Sequence, residues 1–179
     1  VRRTADDALV LYHDAALDDG RAIVDLTAAE CAEAGLFGLE EGLAALPDGV
    51  GLDVDVKTVM EDAVDAPARR TVALLLPYLR KEVRRRRVFV CSFDPGLLRA
   101  VREEVPEVPT AWMPYVRNPA DTAIPGALGT GCPIVAVDAR ALGVGGDAPR
   151  PGRRPLEYTV EVAHRAGLEI ISWCPEPAD

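Results

Sequence analysis

From Gly49 to Lys57 apolar and polar side chains alternate without interruption: Val50, Leu52, Val54 and Val56 interleave with Gly51, Asp53, Asp55 and Lys57. Side chains on a strand point to opposite faces by turns, so the stretch predicts a strand with one aliphatic face and one face carrying two carboxylates and an ammonium. Two readings fit this pattern. An antiparallel strand would turn its polar face to water. A strand of a (β/α) barrel would set its aliphatic face against outer helices and point Asp55 and Lys57 inward near its C-terminal end, where such barrels keep their chemistry.

The rest of the chain favours the barrel. A short apolar run from Ala8 ends at His13-Asp14, and Asp18-Asp19-Gly20 makes a turn. Thr27-Ala28-Ala29-Glu30 has the spacing of a capping box and predicts a short helix ending near Gly35. Leu39, Leu43 and Leu46 predict a second short helix, and Pro47-Asp48-Gly49 turns the chain into the alternating strand. Asp65-Ala66-Pro67 reads as a cap opening a long helix to about Arg86, kinked at Pro77. Val88 to Phe93 is a continuous apolar strand, the pattern of a sheet covered on both faces. Asp94-Pro95 caps the following helix, which buries Leu97, Leu98 and Val101 and ends near Pro106. Strands are expected over Thr110–Tyr115, Pro133–Val137 and Leu168–Trp173, with a helix over Leu156–Arg165 stopped by Gly167 and a Gly/Pro/Arg-rich surface loop over residues 143–154. Strand and helix alternate and no hairpin signal stands out, which argues for βα units and a parallel sheet.

Length and charge narrow the function. The 179 residues suffice for one domain with a sizeable core. A net charge of −9 argues against nucleic acid as a partner, because phosphate neutralisation needs clustered Lys and Arg. The one basic cluster, Arg80-Lys81 with Arg84 to Arg87, is expected to be a solvated helix end. No apolar run is long enough to span a membrane and no signal peptide is visible, so a cytoplasmic location is expected. The four cysteines, Cys31, Cys91, Cys132 and Cys174, lack paired metal-ligand spacing and read as buried free thiols. No glycine fingerprint for a dinucleotide separates a strand from a helix.

Four ordered segments resemble the glycerophosphodiester phosphodiesterase family. They are Arg2-Arg3-Thr4-Ala5-Asp6 running into Val10-Leu11-Tyr12-His13-Asp14, then Leu52-Asp53-Val54-Asp55-Val56-Lys57, then Val90-Cys91-Ser92-Phe93-Asp94-Pro95, and finally Ala163-His164-Arg165-Ala166-Gly167-Leu168 leading to Ser172-Trp173. The resemblance covers essentially the whole chain. It implies a TIM-type (β/α) barrel as fold class and metal-dependent hydrolysis of glycerophosphodiesters to an alcohol and glycerol 3-phosphate, a reaction of lipid and glycerol metabolism. It also implies a site of two histidines, a divalent metal (Mg or Ca) on three carboxylates and a lysine at the phosphate. Carried over, His13 is one of the two catalytic acid–base histidines, Asp55 a metal carboxylate, Lys57 a phosphate-binding or carboxylate-orienting cation, and Trp173 a wall of the glycerol pocket.

Two departures from the family pattern shape the expectation. The family's His-Arg-Gly strand, its Glu-x-Asp strand and its last barrel strand have no counterpart in these residues, so the barrel is expected to be incomplete at both ends and to self-associate through open edges. The family's strand glutamate is aspartate at position 55, which draws the carboxylate back by one methylene. With one metal carboxylate left, the chain alone is expected to be catalytically impaired. The alternative is a decayed relative that binds a phosphorylated ligand or a protein. Each residue also has a plainer role. His13 reads equally as a partly buried histidine, Asp14 as turn chemistry, Asp53 as a partner of Lys57 or a surface acid, and Trp173 as core. His164 reads as a dipole-compensating surface residue at a helix end, and Ser92 lacks the neighbouring base that a nucleophile needs.

Overall fold

The computed structural model describes residues 1–115, 118–142 and 154–173. The expected loop over 143–154 lies outside them except for Arg154, and so does Cys174. The chain divides into two compact units, Val1–Val90 with Ala100–Val108, and Cys91–Arg99 with Pro109–Asp179.

The first unit opens with a feature the sequence reading lacked. Strands β1 (Arg2–Arg3) and β2 (Leu9–Leu11) form an antiparallel hairpin, with Arg2 opposite Val10 and Arg3 opposite Leu9. The turn closes because Thr4 gives its backbone N–H to the Ala8 carbonyl (2.9 Å) and receives the Ala8 N–H on its hydroxyl (3.0 Å). Asp7 supplies the left-handed residue (φ 62°), which a short polar side chain tolerates. Helix α1 (Ala28–Glu33) follows, with the expected capping box between Thr27 and Glu30. Strand β3 (Phe37–Gly38) joins β2 antiparallel, completing a three-stranded sheet over Val10, Ile23, Leu26 and Cys31. Helix α2 (Leu39–Ala45) leads to β4 (Leu52–Val56).

β4 folds as its alternation demands. Val54 and Val56 are buried, while Asp53 is exposed and Asp55 half-buried. Val50 lies ahead of the strand and is exposed, so the aliphatic face is shorter than expected. Val1 donates its N–H to Asp55 O and accepts at its carbonyl from Lys57 N–H (3.0 Å), the two bonds of a parallel bridge centred on Val56.

Helix α3 (Thr71–Glu82) starts later and ends earlier than its sequence suggests, and it runs through Pro77. Pro67 opens a separate 3₁₀ turn, Pro67–Arg69, and Asp65 is taken by the buried Arg3 (2.6 Å) rather than capping a helix. The acid that holds the α3 N-terminus is Asp62, whose Oδ1 accepts the Thr71 N–H (2.8 Å). The basic cluster is not wholly solvated either. Arg84, Arg85 and Arg87 are exposed, but the Arg86 side chain is fully buried on Glu82 (2.9 Å). A buried guanidinium persists where a carboxylate neutralises it.

Strand β5 (Val88–Ser92) belongs to the first unit through Val90 and to the second from Cys91. After α4 (Pro95–Glu104), the second unit continues with β6 (Thr110–Trp112), α5 (Ala120–Thr130), β7 (Ile134–Asp138), α6 (Ala139–Leu142), α7 (Leu156–Arg165) and β8 (Glu169–Trp173). Asp94 caps α4 as expected, its Oδ1 accepting from Gly96 (2.7 Å) and Leu97 (3.2 Å). Helix α5 is new relative to the sequence reading. Its Ala123, Ile124 and Ala127 pack with Val135 and Val137 of β7, and with Ala163 and Leu168. The strands from β4 to β8 are ordered as in the sequence and run parallel, each joined to the next by a helical connection. Sequential order with helical crossovers is the construction of a (β/α) barrel, of which these five strands are a part. Cys31, Cys91 and Cys132 are buried free thiols, as expected.

Candidate functional site

Three of the four predicted site residues come together in the first unit. His13, Asp55 and Lys57 line one cavity of about 500 Å³. The rest of its lining is largely apolar: Leu39 and Leu43 of α2, Leu46 just past it, Leu11 of β2 and Leu52 of β4. Strand periodicity places Asp55 and Lys57 on one face of β4, two residues apart.

The two charges meet directly. Lys57 Nζ lies 2.7 Å from Asp55 Oδ2, with the lysine side chain 14% exposed and the aspartate 38%. The other carboxylate oxygen, Asp55 Oδ1, is buried and accepts no hydrogen bond. A buried carboxylate oxygen without a partner is costly and marks a place where a cation or a donor belongs.

His13 follows β2 and stands 84% exposed at the side chain. Its Nδ1 is 2.8 Å from Asp14 Oδ1. With Asp14 ionised that contact places the proton on Nδ1 and leaves Nε2 as the ring's acceptor. Asp14, read from sequence as turn chemistry, therefore orients the ring. The main chain of His13 is held too. Arg2 donates from Nε (3.2 Å) and Nη2 (2.8 Å) to the His13 carbonyl. Burial pulls the Arg2 guanidinium down from its ordinary value, against the opposing pull of the Asp14 and Asp55 charges. Sequence reading assigned Arg2 no role. The signal available to it was the strand register that sets Arg2 opposite Val10, three residues before His13.

Trp173 belongs to the second unit, at the end of β8. It is half-buried, donates its indole N–H to Ala136 O (3.3 Å) and packs edge-on against Phe93 at 6.5 Å. Phe93 in turn contacts the exposed Tyr115 at 6.4 Å. His164 lies exposed in the last turn of α7, 4.0 Å from Glu169, as a surface residue. Ser92 is buried and its hydroxyl accepts the Asp94 N–H (3.2 Å). Among the described residues no three His, Cys, Asp or Glu side chains are grouped to hold a metal. No described helix is long and apolar enough to cross a membrane.

Comparison with known proteins bears on family and fold. The profile of the glycerophosphoryl diester phosphodiesterase family matches residues 1–176. No curated protein matches the sequence. Among solved structures, a phosphodiesterase from Oleispira antarctica in complex with the product sn-glycerol-3-phosphate superposes with a TM-score of 0.70 at 16% identity, over 98% of this chain and 70% of that one. A glycerophosphodiester phosphodiesterase from Thermotoga maritima gives 0.65 at 18% identity, over 98% and 71%. A protein from Galdieria sulphuraria assigned to the same enzymes gives 0.70 at 21% identity, over 96% and 68%. At these identities the likeness is one of fold.

Proposed function

This chain belongs to the glycerophosphoryl diester phosphodiesterase family, and on that premise we propose that its parent activity is the divalent-metal-dependent hydrolysis of glycerophosphodiesters to an alcohol and glycerol 3-phosphate. The observation that carries the reading is the cavity in which His13, Asp55 and Lys57 meet. A phosphodiester needs its non-bridging charge neutralised and a proton delivered to the departing alkoxide. Lys57, held at Asp55, supplies a cation for the phosphate. His13 Nε2 delivers or receives the proton, and Asp14 on Nδ1 stabilises the imidazolium that forms.

Metal fit is partial. Asp55 Oδ1 is a buried oxygen with a vacant lone pair, which suits a hard cation such as Mg or Ca. The described residues do not assemble the further ligands such a cation requires. Asp55 would therefore be one ligand of such an ion, which would neutralise charge on the phosphate. Trp173 is assigned to the glycerol pocket on the family resemblance, supported by its place at a strand end beside Phe93.

The test is an assay of glycerol 3-phosphate release from a glycerophosphodiester, with Mg, with Ca and with a chelator. The 179-residue chain alone is expected to be inactive or severely impaired. Joining it to a segment that supplies further carboxylates and a histidine is expected to give metal-dependent release. An extended protein that binds phosphate yet never hydrolyses a diester would favour a decayed binding module instead.

A further inference from the structure

Arg2 does something the family resemblance does not assign. It sits on β1, half-buried, and spends two of its N–H groups on a single acceptor, the carbonyl of His13. That acceptor is the backbone of the very residue whose ring needs a fixed direction. The His13 side chain is 84% exposed and pairs with Asp14, its chain neighbour and itself 70% exposed. The loop rests on the first unit's core through Tyr12 and Leu17 and closes through an Ala16–Ala22 bridge, but a neighbour on the same loop fixes the ring only relative to that loop. Arg2 is different, because β1 is anchored twice. Arg3, the next residue, is buried on Asp62 (3.5 Å) and Asp65 (2.6 Å), and Val1 on the other side bridges to β4. The strand that carries Arg2 is thus tied to the strand that carries Asp55 and Lys57.

We propose that Arg2 is a positioning residue for the proton-transfer step, a guanidinium fork on the His13 carbonyl that references the His13–Asp14 pair to β4. The inference rests on the reading of His13 as the acid–base group. Its energetic basis is ordinary. A hydrogen bond from a charged donor is about twice as strong as a neutral one, and it acts on His13 and Asp14, the exposed residues of a loop otherwise held at Tyr12 and Leu17. Lysine would keep the charge and lose the fork, so Arg2→Lys separates geometry from electrostatics.

The experiment uses the full chain and needs no turnover. The protein has two histidines, so its spectrum has two imidazole Cε1–H signals, and a His164→Gln variant assigns them. Inorganic phosphate is titrated while the His13 ring signal and the order of the Asp14 amide are followed. In Arg2→Leu the phosphate response of His13 is expected to weaken about tenfold, the factor a charge-assisted hydrogen bond contributes. The Asp14 amide should lose order, while the Thr4 and Ala8 turn amides keep theirs. Arg2→Lys should fall between. An unchanged His13 response and an unchanged Asp14 amide in Arg2→Leu would overturn the proposal, and so would Lys behaving like Arg. If phosphate fails to move His13 in the unmodified chain, the phosphodiesterase reading is what suffers. The Asp14 amide then decides the positioning role alone: loosening supports it and no loosening overturns it.

Discussion

Two strands, one in each unit, close on an aspartate and leave it in opposite states. On β4, Asp55 is half-buried, with one oxygen on Lys57 and the other buried and unmet. On β7, Asp138 is 2% exposed and saturated: Oδ1 accepts from the backbone N–H and the Nε of Arg140, each at 2.8 Å, and Oδ2 from Nη2 at 2.6 Å. The residue type, and its place at the end of a parallel strand, are the same. What differs is valence. A carboxylate whose partners are supplied by its own loop is part of the scaffold, and one left with an empty lone pair is where a ligand belongs.

The sharpest way to break this contrast is to remove each carboxylate. In an extended protein that hydrolyses a glycerophosphodiester, Asp55→Asn should cost roughly a hundredfold or more in that activity, the scale of disturbing a metal's ligand set. Its effect on stability should stay within about 1 kcal/mol, because the pair with Lys57 is partly solvated. Asp138→Ala should do the reverse. It strands Arg140 beside a buried strand end and should cost about 2–3 kcal/mol in urea denaturation, short of a fully buried pair because Arg140 can reach water. It should leave the His13 ring signal in place. Equal stability losses for the two variants would mean that Asp55 is as structural as Asp138.

A second pair of substitutions compares the units at their glycines. A methyl group on Gly42 of α2 would lie 2.3 Å from Leu11 Cδ1, and one on Gly126 of α5 would lie 2.3 Å from Trp112 Cζ3 and 2.6 Å from Cη2. The distances are alike and the neighbours are not. Leu11 Cδ1 is the tip of a flexible side chain beside a cavity, so Gly42→Ala should cost under about 1 kcal/mol. The Trp112 ring is packed against the α5–β7 core and cannot step aside, so Gly126→Ala should cost about 1–3 kcal/mol. Urea midpoints of the two variants check this, and a reversed order would mean that the cavity wall is the stiffer surface.

The same contrast explains what could be read from the sequence. Several local signals agree with the fold. The β4 alternation buried Val54 and Val56, the Thr27–Glu30 box closed, and Asp94 capped α4. Strands β1 and β3 have two residues each, too few for a period of two to show, and β3 pairs with β2 across more than twenty-five residues. Helix α5 was hidden because Pro125, Gly126 and Gly129 read as loop chemistry; packing of Ala123, Ile124 and Ala127 outweighs those propensities. Asp65 and Arg86 were misplaced because each is claimed by a partner that local pattern does not specify, Arg3 for the first and the burial around Glu82 for the second. At the candidate site, Asp55 and Lys57 are singled out by the alternation and, with His13, by motif resemblance. Arg2 was not, because its role depends on a hydrogen bond to a backbone carbonyl, which leaves no residue-type signature.

The smallest expected effect lies in acid. In the first unit, Asp7 is held below the ordinary carboxylate value of 3.8, first by its hydrogen bonds with Arg69 and then by the charges of Arg69 and Arg3. Asp6 is held below the same value by the Thr4 hydroxyl and the Ala28 N–H. A carboxylate depressed on folding contributes stability that is present above its unfolded value and lost as pH falls through the folded one. The hairpin and its turn should therefore loosen below about pH 4, and the effect should be modest because both acids face solvent. Both tryptophans, Trp112 and Trp173, lie in the second unit, so their fluorescence reports on that unit alone. On acidification the amide signals of Thr4 and Ala8 should weaken before tryptophan fluorescence changes. Asp7→Asn should remove part of that early loss, since an amide no longer titrates, while lowering the stability of the turn at neutral pH. Tryptophan fluorescence changing first would place the weakest carboxylate contacts in the second unit and reverse the comparison.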